Sequence, residues 1–228
     1  MKEKVMVLFS GGVDSSTCLA LAVEQYGIEN VVPLTMIYGQ KHQKEADAAR
    51  NVLEYYGLKG MELDLTPVFA YSDCPLLSHA QKAIPKESYA NQLEKQNGKP
   101  VETYVPFRNG LFLASAASMA LSVGCSCIYY GAHQDDAAGS AYPDCSEAFL
   151  NSMHQAVYEG SGRQLSIRAP FIKCNKAQVV REGLRLQVPY ELTWSCYEGA
   201  DRPCGCCATC MDRQKAFEAN HVKDPYFY

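Results

Sequence analysis

The sequence predicts an α/β fold: a doubly wound, Rossmann-like parallel sheet with a small metal-binding segment at its C-terminal end. Three observations carry this. Short apolar runs suited to buried strands alternate with longer amphipathic stretches. The first run stops at a Gly-Gly pair that leads directly into a helix. Five cysteines then crowd into residues 196–210, after the last alternating unit.

The elements follow in order. Residues 5–9 read as a strand and residues 17–26 as a helix closed by Gly27. Residues 31–37 form a second strand, in which Pro33 sits awkwardly for a sheet interior. A helix starts near Lys44, with Ala46, Ala49, Val52, Leu53 and Tyr56 on one face, and ends at Gly57. Residues 61–65 make a third strand. Residues 66–107 hold five prolines, a polar middle and no sustained period, which predicts a lid or mobile insertion. Order returns at Asn109, expected to cap a small-residue helix that runs to about Gly124. Residues 128–131 are another strand, followed by the polar loop "AHQDDAAGSAYPDC". Residues 146–159 are a helix and residues 165–172 an extended stretch. Asn175 and Gln178 form a capping box for a helix reaching Leu186.

Composition narrows the class. A chain of 228 residues with 47% hydrophobic content supports one sizeable core, with a small appendage. A net charge of −4 argues against a large nucleic-acid platform. The apolar stretch after Lys4 breaks at Ser10 and the run at 111–123 is too short to span a bilayer, so a cytoplasmic protein is expected. Eleven cysteines would suggest disulfides in a small secreted chain, which this is not. Cys18, Cys74, Cys125, Cys127, Cys145 and Cys174 read as small buried hydrophobes.

Two motifs bear chemistry. In "SGGVDSS", two glycines remove the side chains that would obstruct an anion, and the following helix N-terminus offers N–H groups and a positive dipole end. A plain turn capped by Asp14 or Ser15 is the simpler alternative. The motif is not a Walker A loop, because no Gly-Lys-Ser/Thr follows. The cysteines Cys196, Cys204, Cys207 and Cys210 form a C-x7-C-x2-C-x2-C array, and Cys206 is left over. Four thiolates at such spacing close the shell of one tetrahedral ion, for which structural Zn2+ is the expectation. An iron–sulfur cluster and a catalytic thiol pair stay open as alternatives.

"SGGVDSS" resembles the pyrophosphate loop of the N-type ATP pyrophosphatases, whose fold is adenine nucleotide alpha-hydrolase-like. Taken in order, "FSGGVDSSTCL", "YGQKH", "PFRNGLFLASAA", "GAHQDD", "AYPDC" and "TWSC…CGCCATC" resemble the 7-cyano-7-deazaguanine synthases of the queuosine pathway. The resemblance implies an ATP-dependent ligase that converts 7-carboxy-7-deazaguanine and ammonia to the nitrile through adenylated acid and amide, releasing AMP and diphosphate. It implies ATP contacts along Phe9, Ser10, Gly11, Gly12, Val13, Asp14, Ser15, Ser16, Thr17, Cys18 and Leu19, with Mg2+ accompanying ATP. It also implies a homodimer with neither membrane nor nucleic-acid partner. The chain divides on this reading into an ATP-binding catalytic domain, 1–190, and a zinc-binding segment, 191–228, packed on it.

Catalytic roles are expected for Ser10, Asp14, Ser15, Arg108 and Asp136, and substrate contacts for Arg108, Asn109, Tyr142 and Asp144. Asp144 is the expected acceptor for the guanine-like N–H groups. His133 is a candidate for proton transfer, and Lys41, His42 and Lys173 for phosphate contact. The competing readings are a tRNA-modifying enzyme of the same loop class (a thiolase or lysidine-forming enzyme) and a non-catalytic zinc-knuckle module.

Overall fold

The structure, a computed structural model, describes residues 3–227. Its sheet has five strands: β1 (Val5–Leu8), β2 (Val31–Ile37), β3 (Met61–Asp64), β4 (Cys127–Tyr129) and β5 (Ser166–Arg168), in the order β3-β2-β1-β4-β5. Every pair is parallel, as the strand–helix alternation requires. The helices are α1 (Val13–Tyr26), α2 (Lys44–Tyr56), α3 (Thr66–Phe69), α4 (Tyr89–Gln96), α5 (Arg108–Ser122), α6 (Gln134–Ala137), α7 (Glu147–Gly160), α8 (Lys176–Arg185) and α9 (Ala208–Glu218).

Period-two alternation in β1 explains the two layers. Val5 and Val7 pack with Leu19 of α1, Val52 of α2 and Val179 of α8. Met6 and Leu8 face the other way, onto Leu113 and Ala116 of α5 and Leu150 of α7. Both faces are therefore covered, and all four residues of β1 are buried. Because β1 has β2 on one side and β4 on the other, the chain reverses its direction of winding there. Open sheets place ligands at the carboxyl ends of strands at that point.

Pro33 is tolerated for a geometric reason. The Leu34 carbonyl accepts from Phe9 N–H of the β1 segment at 2.9 Å, so its neighbour Pro33 presents its backbone to the β3 side. Pairing with β3 begins only at Leu34 opposite Met61, so no ladder bond is lost.

Residues 66–107 are more ordered than their prolines suggest. They contain α3 and α4, and Ser88 caps α4 by accepting from Asn91 N–H at 3.3 Å. Leu76, Leu77, Ile84, Val101 and Val105 are buried. Leu77 and Val105 join Tyr38, Cys196, Cys207 and Cys210 in one cluster, so this stretch and the C-terminal cysteines share a core.

The C-terminal segment is locked by Arg213, which is fully buried. Its guanidinium donates to both Asp224 oxygens at 2.8 and 2.9 Å, to Thr193 Oγ1 at 2.8 Å and to the Tyr190 carbonyl at 3.0 Å. It also lies 4.1 Å from the centre of the Tyr226 ring. Such a fork satisfies a planar cation in a way that lysine would not.

Candidate active site

Helix α1 starts earlier than its apolar period indicates, at Val13 rather than residue 17. Gly12 is the N-cap and no side chain caps the helix, so Asp14, Ser15 and Ser16 lie in its first turn. The first-turn N–H groups of a helix have no intrahelical acceptor and remain available to an anion. The turn is braced from within. Ser10 N–H donates to Ser15 Oγ at 3.2 Å, and Ser15 Oγ donates to the Gly12 carbonyl at 3.3 Å. Gly11 has φ +78°, and a Cβ there would stand 2.4 Å from Ala49 N of α2. Gly12 differs: its backbone is extended, and a Cβ would meet only Ser10 Oγ and the Trp194 carbonyl, each at 3.5 Å.

This turn forms one wall of a cavity of about 270 Å³ at the carboxyl ends of β1, β2 and β4. Of the eleven residues expected along the ATP stretch, Phe9, Ser10, Gly12, Val13, Asp14 and Ser15 line it. The other five stand behind. Thr17 Oγ1 donates to the Val13 carbonyl and lies 2.8 Å from Tyr190 OH, while Cys18 and Leu19 are core residues. Ser16 is fully buried and its hydroxyl has no hydrogen-bond partner.

Beside the α1 turn, three elements, α1, α6 with its N-cap, and α8, bring charge together. His133 Nε2 lies 3.6 Å from Asp14 Oδ1 and 3.5 Å from Asp136 Oδ1. Lys176 Nζ, from the first turn of α8, pairs with Asp14 Oδ2. Burial works to raise the Asp14 carboxyl, but the Lys176 and His133 charges outweigh it and hold the group below its ordinary value. Burial pushes the Asp136 carboxyl up; His133 opposes the rise and Asp14 adds to it. Asp14 Oδ1 and His133 Nδ1 are buried without hydrogen bonds, and unpaired polar atoms at one spot suit a charged ligand. Lys176 went unread in the sequence. Its signal was its place: the first residue after the Asn175 cap, where the observed capping box aims it at the sheet edge.

At the far end stand Arg108, Tyr38, Tyr89, Tyr142 and Tyr197. Arg108 donates to Tyr38 OH at 3.4 Å and lies over its ring, 5.2 Å from the centre. Tyr89 and Tyr197 hydroxyls are 2.8 Å apart, and Tyr142 OH is 3.3 Å from both and 2.6 Å from Thr103 Oγ1. Burial pushes the Tyr89 and Tyr197 hydroxyls well above the ordinary phenol range, so they stay protonated donors. Tyr89 comes from the 66–107 stretch, Tyr142 from the loop after β4, and Tyr197 from the cysteine segment.

Several expected residues sit elsewhere. Asn109 is not the N-cap; that residue is Phe107, in the left-handed region at φ 54°. Asn109 lies one residue inside the helix, so its N–H is an orphan donor, and it goes to Asp144 Oδ2 at 2.8 Å. Asp144 is thereby buried behind the cavity wall rather than lining it, whereas Asn109 and Tyr142 do line it. Lys173 is exposed and pairs with Glu147 at 3.2 Å. Neither Lys41 nor His42 lines the cavity; His42 packs edge-on against Trp194.

The cysteine array assembles as the spacing predicts. The Sγ atoms of Cys196, Cys204, Cys207 and Cys210 all lie within 4.8 Å of one another, and Cys206 is outside the set. A single tetrahedral ion bonded at about 2.3 Å needs sulfurs about 3.8 Å apart, so the four thiols fit a metal. Backbone N–H groups of Cys204 and Glu198 donate to Cys196 Sγ at 3.3 and 3.4 Å, and Cys207 N–H to Cys204 Sγ at 3.3 Å. Such donors stabilise thiolate charge.

The model of the family described as "Queuosine biosynthesis protein QueC" matches residues 4–221. The chain belongs to this family. It is 40% identical over 223 residues to the 7-cyano-7-deazaguanine synthase of Archaeoglobus fulgidus, covering 97% of this chain and 89% of the relative. The synthase of Nitratiruptor sp. is 40% identical over 228 residues, covering 99% and 98%. Among solved structures, NMN synthetase from Francisella tularensis superposes with a TM-score of 0.50 at 13% identity, over 97% of this chain and 79% of that one. The U34-tRNA thiolase NcsA of Methanococcus maripaludis, solved with its [4Fe-4S] cluster, gives 0.50 at 16% identity, over 98% and 68%. These structures support the fold.

The ion pair makes a measurable demand. Asp14 should titrate below its ordinary 3.8 in the native chain and higher than that native value in Lys176→Met, where His133 is left to oppose burial without the lysine. A depressed folded value means that the pair stabilises the fold above the unfolded carboxyl range and loses this as pH falls through the lower folded value. The variant should therefore begin acid unfolding at higher pH. Carbon-13 carboxyl titration by NMR checks this, and an Asp14 that titrates no higher in the variant than in the native chain would refute the assigned cause.

Proposed function

We propose that this chain is a 7-cyano-7-deazaguanine synthase, an ATP-dependent ligase that uses one cavity for two successive adenylations. The observation that carries the reading is the cavity's polarity. An open helix N-terminus with Lys176 stands at one end, and a cation among aromatic rings at the other. A nucleotide triphosphate and a flat acidic heterocycle require those two environments.

The α1 N-terminus, Ser10, Ser15 and Lys176 receive the diphosphate end of ATP. Asp14 and Asp136 would hold Mg2+ arriving with ATP. Arg108 fixes the substrate carboxylate, whose oxygen attacks the α-phosphate as diphosphate leaves. Ammonia then forms the C–N bond as the C–O bond to AMP breaks, giving the amide. In the second round the amide oxygen attacks another α-phosphate. Loss of AMP and the remaining N–H protons leaves the nitrile. His133, which lies between two carboxylates, is the candidate group for moving those protons. Preorganised charge does most of the work. Asp144 acts at one remove, as a positioning residue: it ties the start of α5, and hence Arg108.

Structural Zn2+ at the four cysteines completes the site by fixing Tyr197 and Trp194 in the wall. The short sulfur separations favour one ion, since a four-iron cluster spreads its thiolates around a larger core. Residues 66–107 serve as the substrate lid and 191–228 as the zinc-binding segment. We place the enzyme in the cytoplasm as a homodimer, without membrane or nucleic-acid partners. Eleven unpaired thiols accord with a reducing compartment. No helix among the described residues is long and apolar enough to cross a membrane. The net charge of −4 disfavours the tRNA-modifying alternative.

Two experiments test the reading. Valine at position 12 is compatible with the backbone there, but its methyls occupy the turn meant for diphosphate. Gly12→Val should stay folded and lose both half-reactions. Native enzyme should turn 7-amido-7-deazaguanine into the nitrile with one ATP and no added ammonia. Amide conversion that survives in the variant would require a second phosphate site. For the metal, anaerobically purified protein should carry one zinc per chain, lost in Cys207→Ser and kept in Cys206→Ser. A brown protein with stoichiometric iron and sulfide would overturn zinc.

A further inference from the structure

Two cavity carboxylates, Glu45 and Asp212, have no part in the scheme above. Four carboxylates line the cavity. Asp14, Asp136 and Asp212 gather where Lys176 and His133 exert their charge. Glu45, in the first turn of α2, stands apart from them, within reach of the Arg108 charge and close enough to act on the Tyr38 hydroxyl. No hydrogen bond or ion pair from the described residues satisfies it, whereas Asp14 has Lys176. Burial raises its carboxyl and Arg108 opposes the rise. A part-buried carboxylate on a cavity wall, without donors from the described residues, suits a ligand that brings N–H groups.

The chemistry of a 7-carboxy-7-deazaguanine matches the order of groups on this wall. Around the bicycle, the 2-amino group and N1–H are two adjacent donors, parallel and spaced for one carboxylate. The next two groups, O6 and the 7-carboxylate, are both acceptors. The wall offers a carboxylate, Glu45, and a guanidinium, Arg108, and the Tyr38 hydroxyl, 3.4 Å from Arg108, is within reach of both charges. The Tyr38 and Phe112 rings, 5.7 Å apart and tilted 57° to one another, line the same cavity and offer aromatic faces to a bicycle. Asp144, the acceptor expected from the sequence, is already engaged by Asn109.

We propose that Glu45 is the specificity residue of this site, accepting from N1–H and the 2-amino group of the deazaguanine while Arg108 takes O6 and the carboxylate. The inference rests on the substrate reading given above and deepens it. Trp194, the single tryptophan, lines the same cavity and reports binding by its fluorescence. The probes are 7-carboxy-7-deazaguanine, its analogue without the 2-amino group, and ATP. Native enzyme should bind the analogue at least tenfold more weakly than the acid. Glu45→Gln should weaken binding of the acid by about 10–100-fold, the range for hydrogen bonds to a charged group, and erase the preference between the two. ATP affinity should stay within twofold, and Glu45→Asp should restore part of the preference. A Glu45→Gln enzyme that keeps the preference, or that loses ATP affinity instead, overturns the assignment. If native enzyme neither binds nor converts the acid, the substrate reading falls and takes this inference with it. Normal conversion with an unchanged preference in the variant removes Glu45 alone.

Discussion

The site depends on how closely the β1–α1 turn approaches α2. A Cβ on Gly11 would stand 2.4 Å from Ala49 N, closer than any side chain allows. Glycine lets the turn lie directly on α2, and the Trp194 N–H then holds the Gly11 carbonyl from the other side at 2.9 Å. A second glycine repeats the device. A Cβ on Gly131, just past β4, would stand 3.0 Å from the Asp14 carbonyl carbon. With both side chains missing, α1 begins its first turn directly over the reversal point of the sheet, so its unpaired N–H groups and its dipole open into the cavity. The placing of Asp14 beside Lys176 follows from that approach, and the proposed binding of phosphate in one cradle for two reactions rests on it.

The C-terminal segment supplies the wall opposite that turn, and Arg213 keeps it there. Its fork ties Asp224 near the chain end to Thr193 and Tyr190 ahead of the cysteines. Tyr226 OH, stacked on the same guanidinium, accepts from Ser195 N–H and Cys196 N–H. Removing one member of such a buried pair costs about 3–5 kcal/mol, because the other is left uncompensated. The four thiols fix the remaining turn. Trp194 and Tyr197, which line the cavity, are thus positioned by the Arg213 fork and the thiol turn.

The sequence revealed the local features and missed the convergent ones. Strand-and-helix alternation, the Asn175–Gln178 box and the cysteine spacing depend on neighbours in the chain, and the structure has them all. The first turn of α1 was misjudged because its polar residues break the apolar period that marks the rest of the helix. Asn109 and Asp144 exchanged roles for a similar reason. Asparagine at a helix start suggests a cap, but the chain enters through Phe107 in a left-handed conformation, and a carboxylate 35 residues away meets the exposed N–H. Lys176, Tyr89, Tyr197 and Glu45 come from four separate segments. Each is unremarkable alone, and only the shared cavity brings them together.

The central claim is that substrate oxygen attacks the α-phosphate twice in one place, and oxygen labelling tests it most directly. Acid carrying 18O in both carboxylate oxygens should be converted with unlabelled ATP in unlabelled water, and the products read by mass spectrometry. The account predicts that each nitrile formed is accompanied by two AMP molecules with one 18O apiece, the first from the acid oxygen and the second from the amide oxygen. Label appearing in diphosphate, in inorganic phosphate or in only one of the two AMP molecules would contradict it.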